Sequence, residues 1–332
     1  MEYNFVALCN DWDLYRQSYA DAIGRDDFFY IAGYQAAVPK WLLPLYLPHC
    51  SQRSRISKVL PFRSLWNPIY FRHKFPNNNP IVFIYSGDWV DYYNYGFVSY
   101  LRKKYPNSKH VLHMTDLMWK RNYHKLPIET FKRELHNTYD LVLSFDQGDC
   151  ETYDALYHPL VFSDFHGKID ESYQDSDVFF LGWAKQRFND IIGCCERCWD
   201  VGLKTDIHIL GVNKEQRVYR DKINYLDGYM SYEENLQRVL HTKCEIEMMQ
   251  AAGLGFTQRM CEVVTLGKRI ITNNTRIQEA SFYNPDYICQ ISKPSDITDE
   301  FLNKIKRNDS VDYHYKENLS PLELFEFIKR HL

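Results

Sequence analysis

No Asp or Glu occurs from Phe28 to Gly87, although the chain has 43 acidic residues among 332. The same stretch carries Lys40, Arg53, Arg55, Lys58, Arg63, Arg72 and Lys74, and most of them follow the apolar run Trp41, Leu42, Leu43, Leu45, Tyr46 and Leu47. A local basic and apolar surface suits anionic lipid headgroups or a lipid-diphosphate acceptor. The competing reading is a loop excursion with ordinary solvated charges. Outside this stretch the charge is balanced, with a formal net of −3, so no global basic field favours nucleic acid. No uncharged run approaches the ~18–20 residues of a membrane-spanning helix, and the start lacks the basic and apolar regions of a signal peptide. The nine cysteines form no regular framework. Cys194, Cys195 and Cys198 include a C-x-x-C spacing that falls inside a helical segment, with no second pair to complete a zinc site. They read as buried, reduced thiols. The expected location is the cytoplasm, peripheral to the inner face of the plasma membrane, with residues 40–74 touching anionic lipid.

Short apolar runs alternate with helix-length amphipathic segments, the pattern of β-α units stacked around parallel sheets. Strands are expected at Asn4–Leu8, Phe28–Ala32, Ile81–Tyr85, His110–Met114 and Leu141–Phe145, with helices near Leu14–Ile23, Tyr92–Lys104 and Ile128–Asn137. The pattern restarts with a strand at Val178–Leu181, a helix near Phe188–Val201, a strand at Ile207–Leu210 and a helix near Tyr232–His241. These runs predict an α/β protein with two Rossmann-like, doubly wound domains facing across a cleft. Residues 1–163 would form the first domain and residues 177–310 the second. The polar stretch from Asp164 to Asp177 would link them. Residues 311–332 would end in a helix with Ser320 as N-cap, Pro321 at N1 and Glu323 at N3.

The most informative segment runs from Cys244 to Thr272. It reads as a strand, a loop with Gly253 and Gly255, a helix from Thr257 to Leu266 closed by Gly267, and a strand at Ile270–Thr272. A glycine loop before a helix start lets backbone N–H groups approach a phosphate, where the helix dipole favours negative charge. Phe256 precedes the helix, and Thr257 is its N-cap or a phosphate contact. Arg259 in the first turn opposes the dipole unless an anion is present. Glu262, about one and a half turns on, is placed to reach a sugar hydroxyl. A second candidate group follows the strand ending at Leu181. There Gly182 turns the chain, and Lys185 or Arg187 either neutralises a diphosphate or decorates a solvated helix start.

Asp88 and Asp116 each follow a first-half strand and are the candidate general bases, with helix capping as the alternative for both. Asp146 reads as an N-cap, and His113 is a further candidate. Asp11-Trp12-Asp13, near the chain start, and Asp175-Ser176-Asp177, at the end of the linker, have the spacing of a metal-binding triplet. No G-x-G-x-x-G follows the first strand, which argues against a nucleotide-sugar dehydrogenase or epimerase.

The chain resembles the bacterial capsule, exopolysaccharide and lipopolysaccharide glycosyltransferases of GT-B architecture. The resemblance rests on Tyr139–Asp149 with Pro159–Phe162, on Asp177–Arg187, on Gly255–Glu262, and on Lys268–Asn274 followed by Ser281-Phe282-Tyr283. It implies transfer of a sugar from a nucleotide diphosphate donor, expected to be UDP-linked rather than GDP-linked, to a lipid-linked or oligosaccharide acceptor. The first domain would bind the acceptor and the second the nucleotide sugar. The resemblance also implies that no bound metal is needed, because a helix dipole and basic side chains can stabilise a leaving diphosphate. Glu262 would bind the donor ribose, and Thr257 and Arg259 the diphosphate. Many retaining relatives carry two glutamates seven residues apart, and Leu254 stands at the first of these positions. This departure implies inversion, with a first-domain carboxylate as base. The alternative is a non-catalytic member of a polysaccharide assembly complex that keeps the fold without turnover.

Overall fold

The computed structural model describes residues 2–10, 12–33, 37–50, 61–70, 72–73, 75–87, 96–122, 125–249, 253–307 and 309–332. Asp88, Asp11, Arg53, Arg55, Lys58 and Lys74 lie outside the described residues. The chain forms two compact units, Met1–Pro159 with Pro321–Leu332, and Leu160–Ser320.

The first unit is built on a six-stranded sheet. Its strands are β1 (Asn4–Cys9), β2 (Phe28–Ala32), β3 (Ile81–Ser86), β4 (Lys109–Met114), β5 (Leu141–Ser144) and β6 (Leu156–Tyr157), in the order β2-β1-β3-β4-β5-β6. All pairings are parallel. β1 and β3 are buried along their whole length, as expected of central strands covered on both faces. The helical stretch after β1 is shorter than its pattern suggests, Asp13–Ser18, because Tyr19 leaves helical geometry and stacks on Phe28 at 5.5 Å. The helix Pro321–His331 belongs to this unit: Phe325 stacks on Phe5 of β1 at 4.4 Å, with Leu324 and Ile328 buried beside it. Pro321 begins that helix and separates it from the short helix Lys316–Leu319.

The second unit carries β7 (Ser176–Trp183), β8 (Thr205–Leu210), β9 (Ile223–Leu226), β10 (Thr242–Glu247), β11 (Arg269–Thr272) and β12 (Ile288–Gln290), in the order β12-β11-β10-β7-β8-β9. These pairings are also parallel. One face packs on an apolar core of Val178, Phe180, Ile191, Ile207, Ile209, Ile246 and Ile271. Cys194, Cys195 and Cys198 are buried in this core on the helix Phe188–Asp200, and burial raises their thiol pKa values, Cys198 to about 12. The polar residues before β7 are held to this unit: Asp170 N donates to Gln237 Oε1 at 3.0 Å, and Gln237 Nε2 donates to Lys168 O at 2.9 Å.

Gly267 ends the helix Gln258–Leu266 at φ +62°, and a Cβ there would stand 2.7 Å from the Val311 carbonyl oxygen. Only a glycine fits both requirements. Gly267→Ala is therefore expected to lower unfolding free energy by about 1–3 kcal/mol, read from the urea midpoint at unchanged m-value. An unshifted midpoint would show that the turn relaxes at no cost.

Candidate functional site

In the second sheet the chain moves outward from β7 to β8 and β9, then returns to β10 on the other side of β7. The β7/β10 boundary is thus a topological switch point, where the loops leaving the strand C-termini diverge and open a crevice. β7 runs on through Gly182 to Trp183, still paired with β8, where the sequence predicts a turn after Leu181. Lys185 and Arg187 follow it, and the loop after β10 carries Gly253, Gly255 and Phe256. Thr257, Arg259 and Glu262 follow on the helix Gln258–Leu266.

The residues facing this boundary form a dense polar network. Glu245 and Glu247 of β10 are two residues apart and so share a face, and both are fully or almost fully buried. Thr257 and Thr272 both donate to the Glu247 carboxylate, Thr272 at 2.5 Å. Thr257 also caps the helix, its hydroxyl oxygen accepting from Met260 N. Glu245 accepts from Arg259 Nε at 3.2 Å on Oε2, while its buried Oε1 has no partner. Arg259 also donates to the Leu181 carbonyl at 2.5 Å, which ties the helix to the end of β7. Glu262 is only 4 % exposed and accepts from Tyr232 Oη at 2.8 Å. Desolvation, with the Glu262 charge second, pushes the Glu245 pKa well above the carboxylate range, and Arg259 opposes the shift. Desolvation also raises Glu262, against hydrogen bonds from Tyr232 and Asn235.

Arg187 lacks an acidic partner among the described residues. Its guanidinium donates to the carbonyls of Met248 and Trp183, and its buried Nε has no partner. Burial and then the neighbouring Arg259 lower its pKa. Two half-buried guanidiniums repelling each other at a helix N-terminus form an arrangement that an anion would relieve. Lys185 is exposed and held at φ +45°, an uncommon backbone state for a side chain of this size. Gly255 is buried, and its carbonyl accepts from Asn274 Nδ2 at 3.3 Å, which fixes the loop after β10. Phe256 packs edge-on against Phe282 at 5.2 Å. Gly182 lies close over Phe180, where a Cβ would approach the ring to 2.9 Å.

Beside this network, Trp183, Gly211, Val212, Lys214, Arg217 and Tyr229 line a recess of about 380 Å³ at the C-terminal ends of β7, β8 and β9. The Trp183 and Tyr229 rings stand 5.9 Å apart at its mouth.

In the first unit Asp116 follows β4. Its Oδ1 accepts from Leu117 N at 2.8 Å and Lys120 Nζ at 3.0 Å, and Arg121 lies 3.6 Å from Oδ2. His113 is buried with its pKa lowered to about 3 by desolvation, so its ring is neutral, and its Nε2 lies 3.2 Å from the Pro159 carbonyl. Asp146 caps the helix Gln147–Tyr153 by accepting from Asp149 N at 3.1 Å. The residue that sequence reasoning passed over is Asp149 itself. Burial raises its pKa to about 6 despite a hydrogen bond from Met118 N, and the charges of Asp146 and Asp116 add to the rise. A carboxyl group titrating there, at the C-terminal edge of a parallel sheet, suits proton transfer at neutral pH. The signal in the sequence was an acidic residue at N3 behind an acidic N-cap, indistinguishable from ordinary capping. Asp175 Oδ1 is hydrogen-bonded with His241 Nδ1 at 2.8 Å and Asp177 is ion-paired with Lys243, so both carboxylates of the second Asp-x-Asp triplet are engaged. Among the described residues no three His, Cys, Asp or Glu side chains gather as a metal-binding cluster.

No protein-family model matches the sequence, and no curated protein does. The fold does match solved structures. Anabaena Alr3699/HepE in complex with UDP and glucose aligns with a TM-score of 0.58 at 9 % identity, covering 98 % of each chain. The same protein in complex with UDP aligns at 0.51 and 11 % identity, over 96 % of this chain and 94 % of that one. The N-terminal domain of Candida albicans trehalose-6-phosphate phosphatase aligns at 0.53 and 8 % identity, over 96 % and 93 %. The chain therefore has the two-domain α/β fold of GT-B proteins.

Proposed function

We propose that the chain is a glycosyltransferase that takes a sugar from a UDP-linked donor and transfers it with inversion to a lipid-linked or oligosaccharide acceptor in bacterial surface-polysaccharide assembly. The observation that carries this reading is the Arg187–Arg259 pair at the N-terminus of the helix Gln258–Leu266, beside the β7/β10 switch point. A diphosphate placed there would receive two guanidiniums and a helix dipole, so the leaving group needs no resident metal. Lys185 adds a mobile cation, while Gly182, Gly253 and Gly255 allow close backbone approach, with Phe256 and Thr257 completing the loop. Glu262 is the ribose ligand in this reading, exchanging one of the hydrogen bonds it receives from Tyr232 and Asn235 for a sugar hydroxyl. The UDP held by the HepE structures supports the choice of nucleotide. In the reaction a first-unit carboxylate removes the proton of the acceptor hydroxyl as its oxygen bonds to the anomeric carbon. The bond from that carbon to the diphosphate oxygen breaks, and UDP leaves. Asp88 and Asp116 are the candidates from the sequence, and Asp149 joins them on its raised pKa.

Thermal melting with UDP, UDP-sugars and GDP tests the donor half. At a UDP concentration a hundred times Kd, stabilisation of about 2.7 kcal/mol is expected, a rise of a few degrees in Tm, with GDP giving less. No shift with any nucleotide diphosphate would sink the donor reading. A UDP shift with neither transfer nor hydrolysis of any UDP-sugar would instead favour a non-catalytic assembly protein that has kept the fold.

A further inference from the structure

Two described pieces of the acid-free stretch, Leu43–Cys50 and Arg63–Trp66, pack against each other and leave apolar residues on the outside. The helix Leu43–Cys50 has the sequence LPLYLPHC, with no charged residue except by protonation of His49. Its inner face is accounted for. Tyr46 meets Trp66 edge-on at 5.2 Å and Tyr70 at 6.1 Å, and Tyr70 Oη lies 3.8 Å from Cys50 Sγ. The turn Arg63–Trp66 is fixed to this helix through His49, whose Nδ1 accepts from Trp66 Nε1 at 3.1 Å while Nε2 donates to the Pro61 carbonyl at 2.7 Å.

Four large apolar side chains stand out of this braced body. Trp41 is 77 % exposed, Leu45 67 %, Phe62 71 % and Leu65 72 %. Trp41 lies in the 3-10 turn Lys40–Leu42 just before the helix, and on the helix Leu45 stands about 100–140° round from the buried Tyr46 and Cys50. Phe62 is held at φ +65°, a state that aromatic residues rarely adopt. A helix apolar on both faces is not explained by folding on one core. Lys40 and Arg63 flank these side chains in sequence.

We propose that Trp41, Leu45, Phe62 and Leu65 insert into the interfacial layer of an anionic lipid bilayer, with Lys40 and Arg63 pairing with its headgroups. Exposed Trp and Phe beside Lys and Arg, with no acidic residue from Phe28 to Gly87, match a negatively charged interface that accepts amphipathic rings at shallow depth. A second copy of the chain is a poorer occupant, since four side chains fall far short of the roughly 20–30 residues a side that a stable interface uses. Nucleic acid is disfavoured by the net charge of −3. The inference concerns the first unit alone and stands independently of the donor reading.

Sedimentation of the full chain with vesicles decides it, using phosphatidylcholine alone against phosphatidylcholine with phosphatidylglycerol as about a third of the lipid. Binding is expected to the anionic vesicles only, weakening as salt is raised. The combined variant Trp41→Ser, Leu45→Ser, Phe62→Ser, Leu65→Ser should lower the partition coefficient about tenfold or more, because the apolar contribution is lost. Lys40→Glu with Arg63→Glu should lower it as well. Unchanged melting by circular dichroism shows that these surface changes leave the fold intact. Three results would overturn the proposal: no binding to either vesicle, equal partition of parent and serine variant, or a dimer in sedimentation velocity that the serine variant abolishes.

Discussion

Arg259→Ala is expected to reduce affinity for UDP about a hundredfold, the loss of some 2–3 kcal/mol of charge-assisted hydrogen bonding. Arg259 lies in the first turn of the helix Gln258–Leu266, close enough to Arg187 to lower its pKa. A diphosphate at that helix start would therefore lose one of its two guanidiniums. The effect is moderated because Arg259 is already engaged by Glu245 and the Leu181 carbonyl, and recruiting it to a ligand weakens those bonds. Arg259→Lys keeps the charge without the planar fork and should recover part of the affinity, leaving a deficit of about tenfold. Titration calorimetry with UDP reads all three proteins. If Arg259→Ala bound UDP like the parent while melting earlier, the arginine would be only a structural partner of Glu245. The diphosphate would then have to be placed elsewhere.

Much of this arrangement is legible in the sequence because its parts are local. Thr257 before a helical pattern and Gly267 after it are cap signals with a physical cause, and the structure shows both in those roles. The strands at Asn4, Phe28 and Ile81 are long apolar runs, and the structure starts each at its expected residue. The short strands β6, β9 and β12 escaped because two to four residues carry no measurable period. Return of the helix Pro321–His331 to the first unit is likewise invisible locally, since Phe325 meeting Phe5 joins opposite ends of the chain. Glu245 and Glu247 were legible but unread. A central parallel strand is ordinarily apolar on both faces, so glutamates at alternate positions of Cys244-Glu245-Ile246-Glu247 already marked one face of β10 as polar. What spacing cannot supply is the partner of each carboxylate. Tyr232 comes to Glu262 from thirty residues upstream and Thr272 to Glu247 from twenty-five downstream, through tertiary packing alone.

Those buried carboxylates make stability depend on pH in a direction opposite to the usual acid denaturation. Glu245 is completely buried, and its surroundings supply like charges from Glu262 on the facing helix and Glu247 on its own strand, against Arg259 and Lys268. Desolvation dominates, so the folded chain keeps the Glu245 proton to a higher pH than the unfolded chain, which releases it near the ordinary value of about 4.3. Between those two values this site binds more protons in the folded than in the unfolded state, so its own contribution to unfolding free energy falls as pH rises. The buried His110, His113 and His158, with pKa values lowered to about 3, 3 and 4, contribute in the opposite direction. The Glu245 contribution is intact below the unfolded pKa and is progressively lost as pH climbs through the raised folded pKa. Glu245→Gln holds the neutral, hydrogen-bonding shape at every pH. The variant is expected to match the parent near pH 5 and to exceed it by about 2–4 kcal/mol near pH 9, with the difference growing between. Urea midpoints collected across that range measure it directly. A Gln-minus-parent difference that does not grow between pH 5 and 9, or a Gln variant less stable than the parent at the alkaline end, would show that Glu245 is ionised and satisfied in the folded chain. Arg259 would then be committed to neutralising it, and a diphosphate would have to rely on Arg187 and the helix dipole.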